Sequence, residues 1–144
     1  DTLRNRLGIA IAMRTYKAYV EVLSSKRWQK LAASGARQQR LLWASTGTKD
    51  PSASDVLYIE ALASADTIDT MPEKTLLAFA NHGKVKGSLA ADGGDAETLL
   101  ADFAKAGIDH IALAARLQLE GTRAFAESWR ELMECIAKKT EQLT

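Results

Sequence analysis

Leu3, Leu7, Ile11, Ala18 and Val22 recur at spacings of four and seven. That is one face of a 3.6-residue period, and it predicts a first helix. Arg4, Arg6, Arg14 and Lys17 fall on other faces. Ser24-Ser25 interrupts the pattern, and Lys26 to Ala33 reads as a short second helix carrying Trp28 and Leu31. Gly35 is placed to stop it in a left-handed C′ position. Leu41 to Thr46 is a short apolar run bounded by turn residues, which predicts a buried strand. Ser54-Asp55 offers an N-cap for a helix through Leu62. Asp66 to Met71 predicts a second strand, and Pro72 with Glu73 suits the first turn of the next helix. Leu76, Leu77, Phe79 and Ala80 would form that helix's apolar face, with Gly83 at its end.

Twice, then, the chain reads strand, polar turn, helix, which is the βα unit of an α/β protein. The rest of the chain is mostly helical. Lys84 to Leu89 is an irregular connection, and Asp92-Gly93-Gly94-Asp95 is a turn that also supplies an N-cap. Leu99, Leu100 and Phe103 give the next helix its apolar face, and Gly107 stops it. Asp109 caps a helix of about Ile111 to Leu119, ended by Gly121. Thr122 opens a last helix with Phe125, Trp129, Leu132 and Ile136 on one face.

Composition narrows the classes. The 144 residues suffice for one domain and leave no room for a complete second one. They are too few for a whole (β/α)₈ barrel, which needs about 250. Apolar residues at 47% and charged residues at 26% fit a globular chain rather than a disordered one. A net charge of +1 gives no global electrostatic case for nucleic acid or an anionic membrane. No apolar run approaches the roughly 20 residues of a membrane span. Cys135 is the sole cysteine, which excludes an intramolecular disulfide and favours a reducing, cytoplasmic setting. The chain lacks both an initiator Met and signal-peptide anatomy, so it is expected to begin inside a longer protein.

No GxGxxG, Walker A, GxSxG, HExxH or CxxC motif is present. His82 and His110 are far apart and are expected near helix ends, not in a metal site. One loop has chemical character: Trp43-Ala44-Ser45-Thr46-Gly47-Thr48-Lys49, at the end of the first strand. Its hydroxyls and N–H groups can donate to phosphate oxygens, and Lys49 adds a point charge. Ligands of α/β proteins bind at the carboxyl ends of strands. Strand alternation would put Leu41, Trp43 and Ser45 on one face and Leu42, Ala44 and Thr46 on the other. Lys49 as a Schiff-base nucleophile is the competing reading. Its hydrophilic turn beside Asp50 favours a charged clamp over a neutral amine.

The segment RLLWASTGTKDPSASDVLYIEALASADTIDTMPEKTLLAFANHG resembles the C-terminal part of bacterial transaldolases. WASTGTK, the following DVLY and TMP-x-x-T-L match that pattern in order and spacing. GIAIAMRTYKAYVEVLSSKRWQKLAASGAR upstream and EGTRAFAESWRELMECI downstream resemble the flanking helices. The form found in bifunctional transaldolase–glucose-6-phosphate isomerase chains is the nearest in look. The resemblance implies that residues 1–144 are the C-terminal portion of a (β/α)₈ barrel, holding about two strands, the seventh and eighth, and several helices. It implies transfer of a dihydroxyacetone unit between sugar phosphates through a lysine Schiff base, with no metal or organic cofactor. The Schiff-base lysine would lie on an earlier strand, so no catalytic residue is expected here, and the N-terminal portion of the barrel would be the partner. The family's phosphate-binding serine and basic residue map onto Ser45 and Lys49. Asp69 stands where related sequences usually carry Asn, and a carboxylate pointing at a phosphate would repel it. The alternative from another class is a non-catalytic helical interaction module of the same ancestry.

Overall fold

In the computed structural model, which describes residues 2–143, α1 (Leu7–Ser24) and α2 (Lys26–Ala33) meet at Ser25. The Ser25 hydroxyl accepts a hydrogen bond from the Trp28 N–H at 3.2 Å and donates to the Val22 carbonyl at 2.7 Å. One side chain thus ends α1 and caps α2. Gly35 (φ 90°) closes α2: its N–H reaches the Ala32 carbonyl, and the Ala36 N–H reaches that of Leu31. This is the expected left-handed stop.

The two predicted strands pair in parallel as β1 (Leu41–Trp43) and β2 (Thr67–Asp69), with α3 (Leu57–Leu62) between them in sequence. Both are shorter than predicted. Ser45 takes a left-handed backbone (φ 56°), which ends the alternation of β1, and Asp66 (φ 56°) delays the start of β2. Leu41 pairs with Thr67, Leu42 with Ile68 and Trp43 with Asp69. Paired residues share a face, so Leu42 and Ile68 lie together on one side, both exposed. Trp43 lies on the other side, buried with Ala12 and Tyr16 of α1 and Leu62 of α3. Its indole N–H donates to Ser64 Oγ at 3.3 Å. The hydroxyls of Tyr16 and Tyr19 donate to the carbonyls of Ala65 and Asp66 at 3.4 and 3.1 Å, tying α1 to the turn before β2.

The buried face of α1 differs from the predicted stripe. Ala10, Ala12 and Tyr16 are buried, whereas Ile11 and Val22 are exposed. The small alanines allow close approach, and the tyrosines reach over the turn, so packing overrides the run of large apolar residues. Leu3 and Leu7 do pack, against Ala10, Leu99 and Leu100. In α4 (Glu73–His82) the expected Leu76 and Leu77 are 52% and 63% exposed, and Thr75 is the buried residue. That helix docks its first turn on the strand-end loop, and a two-stranded sheet is too narrow to cover the rest.

Two compact units divide the chain, one through Asp102 and the other from Phe103. α5 (Ala96–Lys105) spans the division. Leu99, Leu100 and Phe103 are all buried, as their spacing predicts. Arg14 of α1 grips Glu97 with two bonds, Nε–Oε1 at 2.7 Å and Nη2–Oε2 at 2.6 Å. Gly107 (φ 83°) ends α5, with the Ile108 N–H on the Phe103 carbonyl. Asp109 then caps α6 (His110–Leu143) through Oδ1, which accepts from the N–H groups of Ala112 and Ile111 and holds its carboxyl below the usual range.

α6 is one continuous 34-residue helix, not the two predicted. Gly121 does not break it, because strong helix formers flank it and a lone helical glycine only weakens a helix. The Thr122 hydroxyl bonds back to the Gln118 carbonyl at 2.9 Å and caps nothing. Phe125 and Trp129 are 83% and 63% exposed along the predicted apolar stripe. No helix among the described residues is long and apolar enough to cross a membrane.

A Cβ at Gly121 would meet no atom within 4 Å. Gly121→Ala is therefore expected to raise stability by about 0.5–1 kcal/mol through helix propensity alone. Urea unfolding of the two proteins measures this, and a loss of stability would show that the helix needs a break there.

Candidate functional site

The loop 44–52 leaves the carboxyl end of β1, and three sets of contacts fix it. The first joins it to the end of β2. The Thr70 N–H donates to the Trp43 carbonyl at 2.9 Å, and the Thr46 N–H donates to the Thr70 carbonyl at 3.0 Å. These bonds continue the parallel ladder past the strands proper. Side chains add to it: the Thr70 hydroxyl donates to the Trp43 carbonyl at 2.9 Å and accepts from the Ser45 N–H at 3.2 Å.

The second set is steric. A Cβ built at Gly47 would lie 3.0 Å from Pro72 Cγ, 3.2 Å from Pro72 Cδ and 3.3 Å from Thr75 Oγ1. Only glycine lets the loop backbone sit so closely on the start of α4. The third set is ionic. Asp50 accepts from Arg4 Nε at 3.0 Å and Nη2 at 3.2 Å, from Asn5 Nδ2 at 2.7 Å, and from the Ser52 N–H and hydroxyl at 2.9 and 2.7 Å. The Asn5 bond, then those of Ser52, hold its carboxyl far below the usual carboxylate range. Asn5 has a left-handed backbone (φ 62°), as suits asparagine in a turn.

Within this frame Ser45 and Lys49 are both exposed, and Thr46 between them is buried. The left-handed turn at Ser45 means that neither residue continues the alternation of β1. Lys49 has no ion pair among the described residues. Its neighbour Asp50 is fully engaged elsewhere, so sequence adjacency does not neutralise the lysine. Thr48 Oγ1 is buried without a hydrogen-bond partner, a local cost of about 1–3 kcal/mol.

Asp69 pairs in register with Trp43, so it stands on the helix-packed face, opposite Leu42 and Ile68. Its Oδ1 lies 2.6 Å from the Thr46 hydroxyl. Partial burial pushes its carboxyl above the ordinary aspartate value, and the Thr46 bond opposes that. Both histidines sit at helix ends: His82 closes α4 with Nε2 2.9 Å from Asp55 Oδ1, and His110 opens α6.

A parallel pair with a pinned polar loop at its carboxyl end is the geometry of an α/β ligand site. The family model for transaldolase/fructose-6-phosphate aldolase matches residues 1–136. The chain belongs to the transaldolase/fructose-6-phosphate aldolase family. Curated relatives agree. A transaldolase of Parafrankia sp. (strain EAN1pec) is 42% identical over 140 residues, covering 96% of this chain and 38% of that protein. A transaldolase of Mycolicibacterium paratuberculosis is 45% identical over 139 residues, covering 95% and 37%. One from Neisseria meningitidis serogroup A is 39% identical over 133 residues, covering 92% and 38%. The chain thus spans less than two-fifths of the length of these relatives.

Sequence reasoning singles out Ser45 and Lys49 but misses the residues that hold them. Thr46, Asp50 and Thr70 are ordinary loop residues by type. Gly47 is conspicuous in the loop, but the close approach of Pro72 and Thr75 belongs to the fold. Arg4 and Asn5 lie 46 and 45 residues from Asp50, beyond any local signal.

The Asp50 anchor has a calculable pH signature. A carboxyl lowered in the folded state stabilises fully above its unfolded value of 3.8, and that stabilisation is lost as pH falls toward the folded value. The stability difference between the protein and Asp50→Asn is therefore expected to be constant above about pH 5 and to shrink in acid. Urea titrations at several pH values measure it, and a difference that grows in acid would contradict the anchor.

Proposed function

We propose that this chain is the C-terminal portion of a transaldolase (β/α)₈ barrel, in which the 44–52 loop grips the phosphate of a sugar-phosphate substrate. The observation that carries this reading is the exposed Lys49, without an ion pair among the described residues, on a pinned loop at the carboxyl end of a parallel strand, in a chain of this family. Lys49 supplies a point charge to a phosphate dianion, and the Ser45 hydroxyl and nearby backbone supply donors. The reaction is transfer of a dihydroxyacetone unit between sugar phosphates. It proceeds through a Schiff base on a lysine outside these residues, with no cofactor, in the cytoplasm.

Lys49 itself is poorly suited to be that nucleophile. A Schiff-base lysine needs burial or a neighbouring cation to free its amine from the proton. Lys49 is exposed. As a clamp, by contrast, a charged and solvated ammonium is the useful form. The parallel β1–β2 pair, with α3 and α4 each following a strand, supports the placement in barrel wall. The exposed Leu42 and Ile68 would face the interior, where barrels are filled by such residues. The rest of the barrel, some three-fifths of the relatives' length, is the partner that would complete it.

In the full-length enzyme, Lys49→Ala is expected to raise KM for fructose 6-phosphate at least tenfold with a smaller effect on kcat, since a charge-assisted contact contributes about 1.5–3 kcal/mol. A change below about twofold would count against the clamp. Borohydride trapping with the same substrate, read by peptide mass, is expected to label a lysine outside this chain. Label on Lys49 would overturn its assignment as a clamp.

A further inference from the structure

The junction between the 44–52 loop and α4 holds hydroxyls of two kinds. Those of Thr46, Ser52 and Thr70 are hydrogen-bonded within the protein. Those of Thr48 and Thr75 have no partner among the described residues. Thr48 follows Gly47 in the chain. Thr75 Oγ1 stands 3.3 Å from where a Cβ on Gly47 would lie, so it is turned to the loop backbone between Ser45 and Lys49. Thr75 is only 7% exposed. A hydroxyl so deeply buried normally finds a protein partner, and one left unmet inside a candidate site is a donor free for a ligand. The same turn carries unmet backbone donors. α4 starts at Pro72 without a side-chain cap. The Thr75 and Leu76 N–H groups are the first to bond back, both to the Pro72 carbonyl, at 2.9 and 3.0 Å. The N–H groups of Glu73 and Lys74 ahead of them have no acceptor among the described residues.

We propose that the first turn of α4 is the second half of the anion site: the Thr75 hydroxyl and the N–H groups of Glu73 and Lys74 donate to the same sugar-phosphate group that Ser45 and Lys49 hold. The proposal rests on the phosphate-clamp reading and extends it from one βα unit to both. Gly47 makes the junction possible, because its missing side chain lets the loop lie on Pro72 and Thr75. The two halves supply different things. Lys49 brings a full charge on a flexible stem. The helix start brings fixed neutral donors and the positive end of the α4 dipole, which favour an anion without a counter-charge. Glu73 is the opposing charge at this turn, and its side chain is exposed beside that of Lys74. Asp69, at the adjacent strand end, accepts from Thr46 and lies on the helix-packed face.

The test uses the full-length enzyme and reads Schiff-base formation by borohydride trapping. Dihydroxyacetone carries no phosphate, and fructose 6-phosphate carries one. The ratio of their half-saturating concentrations, dihydroxyacetone over fructose 6-phosphate, measures what the phosphate contributes. Thr75→Val keeps the shape and removes the hydroxyl, and is expected to lower that ratio about tenfold. Thr75→Ser returns the hydroxyl and is expected to recover most of the loss. A purely structural Thr75 would weaken both compounds alike, so an unchanged ratio in Thr75→Val overturns the proposal. If Thr75→Val folds poorly, the backbone donor is tested instead. Glu73→Pro deletes the N–H at the first helical position, where proline fits. Pro72 already has the extended backbone (ψ 149°) that a following proline requires. Glu73→Gln is the reference, since it removes the same charge and keeps the N–H. The ratio is expected to be about fivefold lower in Glu73→Pro than in Glu73→Gln, and equal ratios overturn the proposal. Lys49→Ala separates the two claims. An unchanged ratio there sinks the clamp on which the proposal rests, whereas a fall in Lys49→Ala with none in Thr75→Val removes only the part assigned to α4.

Discussion

The Trp43 carbonyl accepts two hydrogen bonds from one residue, the N–H and the hydroxyl of Thr70, each at 2.9 Å. That pair of hydrogen bonds extends the pairing of two strands of only three residues each. Such short strands have too few ladder bonds to fix their ends, so side chains extend the ladder where the backbone turns away. Once Thr70 is held, its carbonyl receives Thr46, its hydroxyl receives the Ser45 N–H, and Ser45 can sit in a left-handed turn. Pro72 follows two residues later and packs on Gly47. The outward placement of Lys49 is the last consequence of that series.

The parts legible in the sequence are those with local causes. Gly35, Gly107 and Asp109 end or begin helices through contacts within a few residues, and each behaves as its chemistry dictates. The order strand, turn, helix is legible for the same reason, since alternation and turn residues are read from neighbours. The differences fall where distant packing decides. Which face of α1 is buried depends on Trp43 and on the turn at Ala65-Asp66, far along the chain. Where β1 stops depends on one left-handed residue held by Thr70. Gly121 misleads because glycine signals both a helix end and a mere weak point, and only the flanking residues separate the two. At the site, residue type points to Ser45 and Lys49. The residues that orient them, Arg4, Asn5, Asp50 and Thr70, are joined by the fold and not by spacing.

Uncovered apolar surface is the other constraint. Leu42 and Ile68 line one face of the sheet, and Leu76 and Leu77 line the outer side of α4, all exposed. Two parallel strands also leave backbone groups unpaired at both outer edges. A barrel removes both costs at once, because each edge strand gains a neighbour and the inner face is filled from all sides. The relatives carry well over half their length outside the matched region. The same is true in kind of α6, whose Phe125 and Trp129 are exposed within its own unit. An amphipathic helix gains its stability mainly by burying such a stripe.

Two carboxylates bracket the loop, and their surroundings drive them in opposite directions. Asp50 meets five donor contacts and stays ionised, but Arg4 lies against it and offsets its charge. Asp69 accepts from the Thr46 hydroxyl, and partial burial pushes its carboxyl above the ordinary aspartate value. The charge of Asp50 is thus paired within the loop's own anchor. The positive charge of Lys49 is therefore not cancelled by the acid immediately beside it. A phosphate approaching the carboxyl end of β1 would meet a cation whose adjacent carboxylate, Asp50, is paired with Arg4. For an anion site, silencing nearby acids matters as much as presenting a lysine, because each unscreened carboxylate at short range would offset one ammonium.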